Sequence, residues 1–86
     1  MTRISTKIME IRKYNLAVSQ EEFGKRIGAS KSYVCQLERG RKTPGFSVLY
    51  KISVAVGIDQ VKVFHDLVDL LAQDYLALLD KLEEKK

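Results

Sequence analysis

Residues 19–40 read SQEEFGKRIGASKSYVCQLERG, two helical patterns separated by one Gly28-Ala29-Ser30 break. Ser19 places a hydroxyl where the free backbone N–H groups of a new helix need an acceptor, and Glu22 three residues on completes a capping-box pattern. A helix is predicted from about Gln20 to Ile27. Gly28 suits the left-handed conformation that ends a helix, and Ser30 is placed to cap the next one. Lys31 to Arg39 then forms a helix that buries Val34 and Leu37 and stops at Gly40. So short a connection holds the two helices against each other, the geometry of a helix-turn-helix pair.

The flanking sequence continues in helices. Ile4, Ile8, Ile11 and Leu16 fall near helical spacing, predicting a first amphipathic helix over roughly residues 3–14 that ends at Tyr14-Asn15. Beyond the basic turn Arg41-Lys42-Thr43-Pro44-Gly45, the apolar positions Phe46, Leu49, Ile52 and Val56 define a fourth helix, ended by Gly57, and Asp59 is placed to cap a fifth. No Gly or Pro occurs from Gln60 to Lys86, so this last helix either runs on unbroken, roughly 35–40 Å at 1.5 Å per residue, or breaks once near Gln73. No useful β alternation is present. The expected fold class is all-α with five helices, residues 1–60 forming a helix-turn-helix core and residues 61–86 a C-terminal helical segment packed on the same domain.

At 86 residues the chain suits one small domain, with no room for a separate effector-sensing domain, so no small-molecule effector is expected. The 45% hydrophobic and 30% charged content is that of a chain with a core. No apolar run approaches the roughly 20 residues that cross a bilayer, and Met1 to Lys13 lacks the pattern of a signal peptide. The expected location is therefore the cytoplasm, with no membrane partner. Charge is divided unevenly along the chain: residues 1–45 hold ten Lys and Arg against four Glu, a balance of +6, whereas residues 46–86 hold five Lys against seven acids, a balance of −2. A clustered positive field attracts phosphate and releases its counterions, so the front half is the candidate for a polyanion partner.

A helix, a tight turn and a second helix can present the second one to the major groove of DNA while the first braces it across the backbone. From Ile8 to Ile58 the chain resembles the Cro and phage-repressor type of helix-turn-helix domain, often called XRE-type. The resemblance rests on Ser19-Gln20-Glu21-Glu22-Phe23, Ile27-Gly28, Leu37-Glu38-Arg39-Gly40 and Pro44, together with the helix marked by Leu49, Ile52, Val56 and Gly57. It implies a lambda-repressor-like fold and double-stranded DNA as partner.

Site residues carry over position by position. Lys31 and Ser32 match the first exposed positions of the recognition helix, Gln36 lies one turn further on, and Tyr33 is placed to stack on a sugar, touch a thymine methyl or reach a phosphate. Lys can donate to guanine O6 and N7, and Gln can make two hydrogen bonds to adenine. The resemblance assigns Gln20 to a phosphate at a helix N-terminus, and Arg39, Arg41, Lys42 and Thr43 to backbone contacts that fix register without reading sequence. It also implies a structural pair, Arg12 with Glu38, joining the first helix to the end of the third. Arg12 and Gln20 are one residue further apart than that pattern, so either the connection absorbs the insertion or Lys13 takes the place of Arg12. Gly24 stands where the family usually has alanine, a change worth ~1 kcal/mol in helix propensity.

Cys35 has no second cysteine, and the single histidine, His65, stands far along the chain. Neither a disulfide, a metal site nor a nucleophile is expected, and no cofactor or enzymatic activity. Leu67, Leu71, Tyr75, Leu78 and Leu82 recur at steps of three and four and are assigned to homodimerisation, the alternative being an arm folded back on its own domain, with part of the wider stripe covering helices one and four. Two copies about one DNA turn apart, ~34 Å, suit a palindromic operator and a repressor or autoregulator. The rival is a protein-interaction module that keeps the helix-turn-helix core without DNA affinity.

Overall fold

Local capping chemistry sets most of the helix boundaries. The computed structural model describes residues 1–84, and Lys85 and Lys86 of the expected dimerisation segment lie outside them. The elements are α1 (Arg3–Glu10), α2 (Gln20–Ile27), α3 (Lys31–Glu38), α4 (Phe46–Val56) and α5 (Gln60–Glu84), with a π-helical turn, Ile11–Leu16, continuing α1. No strand occurs among the described residues.

Ser30 caps α3 as expected, its hydroxyl accepting from the Tyr33 N–H at 3.1 Å. Ser19 caps α2 through the Glu22 N–H at 3.1 Å. The return half of the expected capping box does not form there, because the Glu22 carboxylate turns along the helix to Arg26 at 3.5 Å. The reciprocal box is at α1 instead, between Thr2 and Ser5. Asp59 is not an extended cap for α5: it takes φ 51°, and its backbone carbonyl accepts from Val63.

The first helix also ends differently from expectation. Rather than ending at Tyr14-Asn15 it widens into the π-helical turn and closes at Ala17, which adopts the left-handed conformation at φ 54°, ψ 48°. Both the Ala17 and Val18 N–H groups donate to the Arg12 carbonyl, the latter at 3.1 Å. A π turn holds more residues than an α turn, which is how a helix absorbs an insertion without rotating the residues before it.

Every helix contributes to one core. Ile4, Ile8 and Ile11 from the first helical segment meet Phe23 and Ile27 of α2, Val34 of α3, Leu49 and Ile52 of α4, and Leu67 and Leu71 of α5. Phe23, Ile8, Leu49, Ile52 and Leu67 are completely enclosed, each worth about 1.5–3 kcal/mol relative to exposure. Leu67 and Leu71 therefore leave the set of dimerising residues. Helical spacing put them on one stripe with Tyr75, Leu78 and Leu82, but the half of α5 that crosses α1 and α4 uses its leucines on its own chain. Phe46 departs from expectation the other way. At the first position of α4 it is 66% exposed, one turn ahead of buried Leu49.

α5 is continuous, without the break near Gln73. Its 25 residues correspond to roughly 37 Å, against overall dimensions of 44 × 27 × 21 Å. Its second half outruns the core, leaving Tyr75, Leu76, Leu78, Leu79 and Leu82 exposed.

Candidate nucleic-acid interface

The turn between α2 and α3 is closed by backbone contact rather than side chains. Gly28 takes φ 69° and Ala29 N–H donates to the Gly24 carbonyl at 2.7 Å. A Cβ on Gly24 would come within 2.5 Å of the Ala29 carbonyl oxygen. Glycine at this position is therefore demanded by the crossing, and the alanine usual in the family has no space here unless the turn moves.

Within α3, Val34, Leu37 and Glu38 face inward. The remaining surface is polar: Lys31 and Ser32 are exposed in the first turn, and Tyr33 and Gln36 are half-buried. Ser32, Gln36 and Arg39 follow one another at steps of four and three, which places them on one outward stripe. Among the described residues, the side chains of Lys31, Arg39, Arg41 and Lys42 form no ion pair, so their charges point to solvent without a compensating carboxylate.

The basic turn is not a loose appendage. The Gln36 carbonyl accepts from both the Arg41 N–H, at 2.9 Å, and the Lys42 N–H, at 3.3 Å, and the Gly40 N–H donates to Leu37 at 3.1 Å. Backbone bonds thus fold residues 40–42 against the end of α3. The same short segment holds the outward stripe and the cationic turn in one rigid relation.

A buried charge cluster fixes the other side of α3. Glu38 is 4% exposed, and its carboxylate takes Arg12 side-on, through Nε at 2.6 Å and Nη2 at 3.0 Å. Arg12 Nη1 donates to the Val18 carbonyl at 3.0 Å and Gln20 Nε2 donates to Glu38 at 3.1 Å. The choice between Arg12 and Lys13 is resolved in favour of Arg12, because the π-helical turn takes up the extra residue after it; Lys13 is exposed. The Glu38 hydrogen bond, opposed by desolvation and aided by the Glu38 charge, raises the already high Arg12 pKa further. The cluster ties the first helical segment and α2 to the end of α3.

Gln20 has a dual position. Its side chain belongs to this cluster, while its backbone N–H and that of Glu21 have no acceptor among the described residues. Free N–H groups at a helix start attract anions, although Glu21 and Glu22 in the same turn offset part of that field.

Two features escaped the sequence expectation. Phe46, Tyr50 and Val54, spaced by four, lie exposed along α4 and lead to exposed Ile58 and Val61 at the corner with α5. That spacing was available in the sequence, masked by the overlapping pattern of Leu49, Ile52 and Val56. Asp74 is the other, bonded to the start of α1; no local pattern announces it.

Comparison with known proteins agrees with this geometry. The family model described as helix-turn-helix matches residues 8–59. The chain belongs to the XRE-type helix-turn-helix family. It is 31% identical over 65 residues to control protein C.MunI from Mycoplasma sp, covering 76% of this chain and 88% of that protein. It is 39% identical over 46 residues to the HTH-type transcriptional regulator y4dJ of Sinorhizobium fredii, covering 54% of this chain and 60% of that one. An HTH-type transcriptional regulator of Methanothermobacter thermautotrophicus is 33% identical over 57 residues, 66% of this chain and 81% of its own. No solved structure matches. These relatives are regulators and a control protein rather than enzymes, and among the described residues no helix is long and apolar enough to cross a membrane.

Proposed function

We propose that this helix-turn-helix protein is a sequence-specific DNA-binding transcriptional regulator, a repressor or autoregulator that acts as a dimer on a palindromic operator in the cytoplasm. The observation that carries it is the outward polar stripe of α3 held rigidly beside an uncompensated cationic turn. Lys31, Ser32, Tyr33 and Gln36 read base edges; Gln20, Arg39, Arg41, Lys42 and Thr43 grip phosphates; Arg12 and Glu38 hold the reader in place. Titrating random duplexes with salt tests the class, since binding by several Lys and Arg weakens steeply as salt rises. Selecting bound duplexes from a random pool then tests sequence preference, symmetry and spacing. Absence of binding at low salt supports the rival, an interaction module without DNA affinity.

Dimerisation through the outer half of α5 is supported by the exposure of Tyr75, Leu78 and Leu82 at helical spacing, since clustered exposed apolar side chains mark interaction surfaces. A second reading is favoured by the α4 ladder, Tyr50 and Val54 leading to Ile58 and Val61. Either face can relate two copies by a twofold axis.

A further inference from the structure

The first turn of α1 touches both the exit of the recognition helix and the middle of α5. Asp74 of α5 reaches it from 70 residues away in sequence: Oδ1 accepts from the Arg3 backbone N–H at 3.1 Å and Oδ2 from the Ile4 N–H at 3.0 Å. The Arg3 guanidinium adds an ion pair at 3.4 Å, and the Asp74 side chain is only 13% exposed. Thr2 N–H donates to the Ser5 hydroxyl at 2.9 Å and Ser5 N–H to the Thr2 hydroxyl at 3.1 Å. All four N–H groups that the helix cannot satisfy itself are thereby taken. The two between the box residues are served by a carboxylate from another helix, the charge that a helix start favours.

On its other side the same turn meets Gly40. A Cβ built there would lie 3.5 Å from the Thr2 nitrogen and 3.6 Å from the Ser5 hydroxyl, ordinary van der Waals distances, so the two segments lie side by side with about a methyl group's space between them. Gly40 leads into the turn whose amides bond to Leu37 and Gln36. Lys42 and Thr43 share one groove with Arg3, Asp74, Leu78 and Lys81. Beyond Leu71, α5 buries no further apolar side chain, and Asp74 is its last hydrogen bond to the rest of the described fold.

We propose that Asp74 is a positioning residue for DNA binding: through the first turn of α1 it fixes the Gly40–Thr43 phosphate grip relative to α5. This rests on the DNA-binding function proposed above. A carboxylate is needed because two separate N–H groups must each find an oxygen along lone-pair directions; an amide supplies one acceptor and no charge.

The test uses Asp74→Ala and Asp74→Asn in the full chain, with two readouts. In the free protein, amide exchange and 15N spectra are expected to show faster exchange at Arg3 and Ile4, by about tenfold for one lost hydrogen bond, and shifted resonances at Gly40–Thr43. Lys31–Gln36 resonances stay in place, and Asp74→Asn falls between wild type and Asp74→Ala. In duplex binding, the folded variants lose affinity for all sequences alike, and the loss is less than additive with Lys42→Ala because both act through one grip. Unmoved Gly40–Thr43 resonances overturn the proposal, as does an additive double mutant whose loss follows the unfolded fraction, the mark of a purely structural staple. If the wild type binds no duplex, the DNA reading fails by itself, and the Gly40–Thr43 resonances decide whether the joint exists.

Discussion

The two ends of the structural economy of this protein are the Glu38 cluster beneath α3 and the outer half of α5. Beneath α3, a carboxylate that is 4% exposed is met by a side-on guanidinium and an amide, and no buried side-chain polar atom of the described residues lacks a partner. Along outer α5, leucines and a tyrosine stand in water with one polar anchor, Asp74, at their base. The difference teaches where geometry has to be exact. A reader helix must be held in a single orientation, which directional bonds with a desolvation penalty can impose; a face that meets a partner needs area, and non-directional burial supplies it on contact.

The largest effect expected is from Glu38→Ala. It leaves the Arg12 guanidinium, 12% exposed, without its counter-ion, and removing one partner of a buried pair costs about 3–5 kcal/mol. Denaturant unfolding of the variant measures it, and a loss under ~1 kcal/mol would move the cluster into the class of surface ion pairs. The Arg12 side of the pair gives no slope of stability with pH in the neutral range. Its folded pKa is raised, so its contribution is complete below the unfolded value and is lost only as pH climbs through the folded one, far on the alkaline side of neutral.

Gly24→Ala comes next. Alanine gains about 1 kcal/mol of helix propensity, but its Cβ meets the Ala29 carbonyl oxygen at 2.5 Å, and relieving overpacking against backbone costs roughly 1–3 kcal/mol. The clash wins, and the melting temperature falls. A rise would mean that the α2–α3 turn is softer than the Glu38 side of the comparison requires.

The smallest change in monomer stability, within about ±0.5 kcal/mol, is expected from Leu78→Glu with Leu82→Glu on outer α5, since both side chains are already exposed. Their signature is in self-association, measured by sedimentation equilibrium. Loss of the dimer assigns the interface to outer α5, and persistence of the dimer with loss in Val54→Glu/Ile58→Glu assigns it to the α4 corner.

Elements set by neighbours in sequence were legible. Ser30, Gly28 and Gly57 act on groups within a few residues, and the spacing of Ile8, Val34, Leu49 and Ile52 declares their faces. The candidate readers on α3 followed from the same local pattern together with the family resemblance. The Arg12–Glu38 pair came from the resemblance alone, and its register depended on a π-helical turn that has no compositional mark. Leu67 and Leu71 could not be told from Leu78 and Leu82 by period, because the place where α5 leaves the core depends on where α1 and α4 end. Asp74 was illegible because its partners lie far away: Ser30 accepts from a backbone N–H three residues on, whereas Asp74 accepts from N–H groups 70 and 71 residues away, which no local spacing marks.

The central claim is that α3 reads bases while the turn after it grips phosphate, and duplex binding by Gln36→Ala beside Lys42→Ala, against matched and mismatched sites over a salt series, tests it most directly. Gln36→Ala is expected to lose about 1–3 kcal/mol on the preferred site and to relax preference at one or two positions, while Lys42→Ala weakens all sequences alike and lowers the salt slope by about one. Identical behaviour of the two variants would contradict the division between reader and grip.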